Sequence, residues 1–324
     1  MKRVFVFLIA IVALVPITAQ TKASVVIKWG DVLASNHPSV QMIDMIAKEV
    51  KEKSNGRIEI QSYPGGQLGS SRDMIEAVAT GVQEMITEGA ANFGQWVPSI
   101  SVLEAPYVWR DMNHLLAVMN SPIGEAFNKE LIQKRGMHIL GTTYYGTRQL
   151  TSNKKIEKVP DMANFKLRVP ENDVFMAMAK AWGAKPTPMN FNELYLALQQ
   201  NVVEGQENPL PTIDSGKFYE VQKYLILTSH IITPRLVVIN EAFWKKLSPS
   251  DQKIISDAVA AGIAWQNDQI KQKESELIAK FKTAGMMVIQ PNVDEFRKAV
   301  LAVVPQQFEA KWGKGTWDQI QAVK

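Results

Sequence analysis

The sequence predicts an α/β protein of two lobes, joined by several chain crossovers at a hinge and spanned by one long helix. Three observations carry that expectation. Short β-prone runs alternate with helical patterns from residue 25 onward, the rhythm of a layered fold with a mainly parallel sheet. The 324 residues are enough for two cores, yet no Gly/Ser linker divides them, so the lobes are expected to exchange segments as hinged proteins do. Finally, Pro249 to Ala284 reads as helix with only Gly262 as a flaw, either one spine or two helices.

The elements follow in order. Val25–Trp29 is a short strand ending at Gly30, and Pro38–Ser54 places Met42, Ile43, Ile46 and Val50 on one helical face before Asn55-Gly56. Arg57–Tyr63 alternates as a strand. The turn Pro64–Gly69 leads into a helix that starts at Ser70–Asp73 and stops at Gly81. Its three glycines admit a phosphate cradle, but they lack the Gly-Lys-Ser/Thr ending and the dinucleotide spacing, and a tight turn is favoured. Asp111–Asn120 and Gly124–Arg135 are helices, and Met137–Thr143 is a buried strand closed by Gly146. Lys166–Val169 is a strand stopped by Pro170. Asn172–Trp182 and Asn192–Gln200 are helices, the second capped by Asn190 or Asn192. Tyr224–Leu227 and Arg235–Asn240 complete the strands. No internal repeat is visible.

Residues 1–23 carry Lys2-Arg3, an apolar run from Val4 to Val15 and a small-residue exit at Ala19 or Ala23, the pattern of a secretory signal peptide. The run is shorter than the roughly 20 residues that cross a bilayer. Removing it takes Lys2, Arg3 and Lys22 from 36 Lys and Arg and nothing from 32 Asp and Glu, leaving 33 against 32. A near-neutral chain without a basic block does not bind nucleic acid through phosphates. Absence of cysteine removes thiol nucleophiles, disulfides and thiolate metal sites. His37, His114, His138 and His230 are too widely spaced for a local metal pair, and no Gly-x-Ser-x-Gly elbow occurs. No metal, no cofactor and no enzymatic activity are expected.

The informative stretch runs from Gly146 to Leu210. It holds Gly146-Thr147-Arg148, Phe165-Lys166-Leu167-Arg168-Val169-Pro170, Pro186 through Gln199, and Val203-Glu204-Gly205-Gln206-Glu207-Asn208-Pro209-Leu210. This block closely resembles the solute-binding proteins of tripartite ATP-independent periplasmic (TRAP) transporters, the DctP family. The likeness extends to the stretch from Ala47-Lys48-Glu49-Val50 through Leu68-Gly69 and to Pro106-Tyr107-Val108 before Asp111. It implies a periplasmic-binding-protein-like fold, with lobe I from 24–145 plus about 234–273 and lobe II from 146–233 plus about 274–324. It implies a periplasmic receptor, monomeric by default, that hands a small organic acid to membrane subunits of a secondary transporter. By the same resemblance Arg168 pairs with the ligand's carboxylate, Arg148 adds a second contact and Asn208 completes the cradle. Phe191 forms an aromatic wall, and Glu88 is a first-lobe polar contact. Trp29, Trp109 and Tyr145 are further aromatics for the cavity or the core.

The residues agree with that reading on physical grounds. A carboxylate takes paired planar donors, which guanidinium offers as a fixed fork and lysine does not. An arginine at a strand end before a proline-stopped loop is aimed where α/β sheets bind ligands. The alternatives are a secreted hydrolase or lyase, and the receptor of an ATP-driven importer.

Overall fold

A computed structural model describes residues 24–324; the export-signal reading of residues 1–23 lies outside them. The strands are β1 (Val25–Gly30), β2 (Ile58–Tyr63), β3 (Met85–Gly89), β4 (Met137–Ser152) and β5 (Lys166–Val169). They continue with β6 (Lys185–Pro188), β7 (Gly205–Pro209), β8 (Tyr224–Ile226), β9 (Ile232–Asn240) and β10 (Met287–Ile289). The sheet order is β2-β1-β3-β9-β4-β7-β5-β6, with β8 paired to β4 and β10 to β8. The expected mainly parallel sheet is mixed instead. Each wing is parallel, β2-β1-β3 in one lobe and β7-β5-β6 in the other. The centre, built from β9 and β4, is antiparallel throughout. Helical returns make the wings parallel, whereas the two lobes are joined by strands that run straight from one to the other.

β4 is the longest of these connections. The strand expected to close at Gly146 continues to Ser152. Gly146 bends rather than ends it: its φ is 122°, a value suited to glycine, and the register against β9 shifts between Tyr144 and Gly146. The strand then leaves β9 and pairs with β7 from Arg148 onward.

The spine is one helix, Pro249–Thr283, of 35 residues and about 52 Å. It starts cleanly because the Ser248 side chain accepts the Asp251 N–H and Pro249 stands where no backbone donor is needed. Its first half buries Ile255, Ala258 and Val259 with Ile27, Ile46 and Val237. Its last turns bury Leu277 and Phe281 with Leu198, Leu210 and Phe218. The helix therefore has a foot in the core of each lobe. Between the feet it holds the β4 bend. Asn267 Oδ1 accepts the Tyr144 N–H at 2.8 Å, Gln266 Nε2 donates to the Tyr144 carbonyl at 2.8 Å, and Glu274 accepts from Tyr144 Oη and the Thr147 N–H at 2.6 Å each.

Gly262 is no flaw in this helix. A Cβ there would lie 2.6 Å from Ile46 Cδ1 and Cγ1, so the helix Pro38–Lys53 crosses too closely for any side chain. The final helices pack on the second lobe, where Trp182 Nε1 donates to the Phe296 carbonyl at 3.1 Å, and reach back to the first, where Trp312 Nε1 donates to Ser101 Oγ at 2.9 Å. Elsewhere the local signals act as expected. Ser70 and Asp73 form a capping box, and Asn172 caps Asp173–Ala181. The exception is Leu194–Gln199, which a 3-10 turn at Phe191–Glu193 precedes, so neither Asn190 nor Asn192 caps it. Replacing Gly262 by Val should force this crossing apart and lower stability by about 1–3 kcal/mol, read as a lower urea midpoint with an unchanged slope.

Candidate functional site

The parallel wings end toward each other, and the cleft between them is lined by Arg148, Arg168, Asn208, Phe191 and Glu88 together. All five residues singled out from the sequence therefore meet in one place. Tyr145 lines it as well, whereas Trp29 and Trp109 are core residues, donating to Thr87 Oγ1 at 2.9 Å and to the Leu103 carbonyl at 2.8 Å.

Arg168 leaves the end of β5 and is 3% exposed. Its Nε and Nη2 donate to the Met189 carbonyl at 3.1 and 2.6 Å, and its guanidinium lies 6.0 Å from the Phe191 ring. Phe191 is itself held edge-on by Phe218 at 5.9 Å. One edge of the fork is thus spent on orientation. Nη1 and one Nη2 hydrogen remain outside any described bond. Burial pushes the Arg168 pKa down to about 10, with Glu207 opposing that and Arg148 adding to it. The side chain stays charged at neutral pH.

Two further buried arginines line the cleft, and each is matched by a buried carboxylate. Arg148 Nη2 donates to Glu207 Oε1 at 2.9 Å, to its carbonyl at 2.6 Å and to Asn208 Oδ1 at 3.0 Å, while its Nε also bonds Glu207. Arg235 grips Asp31 through Nη1 and Nη2 at 2.8 and 2.9 Å. Each arginine is also backed by an aromatic ring, Phe175 under Arg148 at 5.0 Å and Tyr145 under Arg235 at 5.2 Å. Among the described residues Arg168 has no carboxylate partner. Asn208 spends Oδ1 on Arg148 and one Nδ2 hydrogen on Gln206 Oε1 at 2.6 Å.

His230 completes the network around Glu207. Burial lowers its pKa against the pull of Glu207, so the ring is neutral. Its Nε2 lies 2.9 Å from Glu207 Oε2 and its Nδ1 2.8 Å from Thr228 Oγ1. The carboxylate needs a donor, which assigns the proton to Nε2. Burial raises the Glu207 carboxyl, but Arg148 and His230 outweigh it and hold the pKa below the ordinary value.

The first-lobe wall is acidic. Glu88, at the end of β3, accepts from the Gly89 N–H at 2.7 Å, Asn92 Nδ2 at 3.1 Å and Ser71 Oγ at 2.5 Å. Glu104 accepts the Ala91 N–H at 2.6 Å. Burial pushes the Glu104 carboxyl up to about 7, Arg148 and the Ala91 N–H acting against it while Glu88 and Glu207 add to it. The lobes touch across the cleft, where Asn172 Nδ2 donates to Asn92 Oδ1 at 3.1 Å and Gln95 Nε2 to the Glu171 carbonyl at 3.0 Å.

The glycine turn lies beside this cleft but is no anion cradle. The amides of Gly65, Gly66 and Gly69 already donate to the carbonyls of Leu33, Asp31 and Gly66. Among the described residues no group of three His, Asp or Glu is arranged to hold a metal. Sequence reasoning missed Arg235, Asp31, Glu104, Glu207 and His230. A signal existed for some of them: Arg235 sits within Ile231–Ile239 and Glu104 follows Val102-Leu103, lone charges in apolar runs that need a buried partner.

Two α/β lobes closing over an arginine-rich cleft define a solute-binding protein. Residues 29–311 match the DctP family, bacterial extracellular solute-binding protein family 7, and the chain belongs to it. It is 36% identical over 323 residues, all of both chains, to the sialic acid-binding periplasmic protein SiaP of Vibrio cholerae. A TRAP periplasmic solute-binding protein from Polaromonas sp. JS666, bound to D-erythronate, superposes with a TM-score of 0.88 at 34% identity, covering 93% of this chain and 99% of that one. A TRAP protein from Sulfurospirillum deleyianum with bound succinate does so at 0.87 and 30%, covering 93% and 100%. The members are binding proteins of TRAP transport. Among the described residues no helix is long and apolar enough to cross a membrane.

The Glu104 carboxyl has a testable consequence. Below its ordinary value of 4.5 it is protonated folded and unfolded alike; between 4.5 and about 7 the folded protein retains a proton that the unfolded chain releases. Stability therefore falls as pH rises through that window and levels off above it. Glu104→Gln cannot ionise, so its stability relative to the native chain should gain about 2–3 kcal/mol between pH 4.5 and pH 8. Denaturant titrations at both pH values check this.

Proposed function

We propose that the protein is a periplasmic receptor that captures a small organic acid by pairing its carboxylate with Arg168, closes its lobes around it and delivers it to TRAP membrane subunits. One observation carries this reading: three buried guanidiniums line the cleft, two are closed by Asp31 and Glu207, and Arg168 has a free pair of donors and no counter-ion. An anion presented there replaces water with a charge-assisted fork. Arg148 adds Nη1 and Asn208 its second Nδ2 hydrogen, while Phe191 walls the site. Glu88 meets the far end of the ligand. The bound acids of the relatives, erythronate and succinate, support the carboxylate class.

Lobe I comprises 24–145 and about 234–273, lobe II 146–233 and about 274–324, with the last helices reaching back onto Ser101. The hinge is the Tyr144–Thr147 bend. Export to the periplasm through residues 1–23 places the receptor where its partners take the ligand. The protein acts as a monomer, by binding alone, without cofactor, metal or catalytic step.

Calorimetry against carboxylic acids tests the assignment. Arg168→Ala should weaken the bound acid by about 2–5 kcal/mol, some 30- to several-thousand-fold, and Arg168→Lys nearly as much because a point charge does not replace the fork. Wild-type affinity in Arg168→Lys would refute the fork, and recovery of a chemically altered acid would make the protein an enzyme. Scattering should also give a smaller radius of gyration with the acid bound than without it.

A further inference from the structure

We propose that this cleft selects monocarboxylates whose far end donates hydrogen bonds, hydroxyl-rich or amine-bearing, and rejects dicarboxylates, and that Glu88 and Glu104 set this preference. The inference rests on the reading that Arg168 receives the ligand's carboxylate. It concerns the opposite wall.

The buried charges of the cleft leave one guanidinium to answer a ligand anion. Arg148 and Arg235 are taken by Glu207 and Asp31. Once a ligand carboxylate occupies Arg168, a second one reaching lobe I meets Glu88, whose three hydrogen bonds come from neutral donors, and Glu104, which receives only one. Both carboxylates are nearly buried, at 5% and 3% exposure, so solvent screens them little. Two like charges in such a space oppose each other strongly. The other charges lining the cleft, Arg72 and Glu171, are exposed and of opposite sign.

Hydrogen-bond polarity points the same way. Ser71 Oγ and Asn92 Nδ2 have already given a hydrogen to Glu88, and Gln95 Nε2 has given one to the Glu171 carbonyl. Asn92 Oδ1 accepts from Asn172. A carboxylate offers about four acceptor positions, so Glu88 keeps about one and Glu104, once ionised above pH 7, about three. Apart from the exposed Arg72 at its rim, the wall has spare acceptors and few spare donors. Hydroxyls or an ammonium satisfy it; a carboxylate or a bare methyl leaves it unpaired.

The test is calorimetry at pH 8, where Glu104 is ionised, with the mature protein and ligands of matched length. D-erythronate, 4-aminobutyrate, butyrate, succinate and erythritol share four carbons, and galactonate and galactarate share six. Erythronate, galactonate or 4-aminobutyrate should bind at least about 100-fold tighter than succinate, galactarate and butyrate. Glu88→Gln should narrow the gap to the diacids at least tenfold by weakening the donor-bearing acid and admitting the diacid, and Glu104→Gln should narrow it in the same direction. Succinate or galactarate binding as tightly as the best monoacid overturns the proposal while leaving the Arg168 reading intact, as does a gap that neither variant alters. Erythritol matching erythronate, or acid binding that survives Arg168→Ala, overturns the Arg168 reading itself. Failure of every monoacid to bind overturns both. Should Glu88→Gln not fold, the panel on the unaltered protein and the Glu104 variant still decide.

Discussion

A guanidinium held out of water without an anion beside it is the constraint around which the cleft is arranged. Isolated buried charge is costly, and three features make Arg168 tolerable. The Met189 carbonyl takes one edge of the fork, the Phe191 ring lies against its face, and the two neighbouring arginines are neutralised by carboxylates of their own. Without Glu207 and Asp31, three positive side chains would share the cleft, and discrimination by position would be lost to general repulsion. On the proposed reading an anion relieves the residual penalty at Arg168, which would couple ligand binding to the stability of the closed form.

The two wings present their side chains by the same local device. In one lobe Glu84 accepts the Lys28 N–H at 2.8 Å; in the other Glu204 accepts the Lys166 N–H at 2.9 Å. Each acid immediately precedes a five-residue strand, β3 or β7. Glu88 is the fourth residue of β3 and Asn208 the fourth of β7. The cleft is thus faced from both sides by equivalent positions carrying different chemistry. One offers acceptors. The other is tied to Arg148 and stands on the side of the buried guanidiniums.

Much of this was legible in the sequence, because apolar periodicity, caps and prolines act locally. The strand Lys166–Val169 and the helix after Ser70 lie where those signals put them. What was not legible depends on contacts far apart in the chain. Gly146 reads as a strand end, and only pairing with β9 and then β7 makes it a bend. Gly262 reads as a helix flaw until Ile46 is packed against it. The duplicated lobe plan is invisible because Thr80–Gly89 and Gln200–Pro209 share geometry but few residues. The motif around Arg168 and Asn208 pointed to this cleft through family likeness, and both residues line it. The carboxylates that close Arg148 and Arg235 came from partners 59 and 204 positions away, which no local pattern encodes.

The helix that is rooted in both cores also governs what motion is available. A rod about 52 Å long with each end packed into a different lobe cannot let those lobes drift apart as beads on a string would. Separation must instead be taken up as curvature distributed over its middle turns, where Gln266, Asn267 and Glu274 clasp the adjoining strand. Such a strut acts as a stiff beam: it limits any gape and keeps the jaws in register.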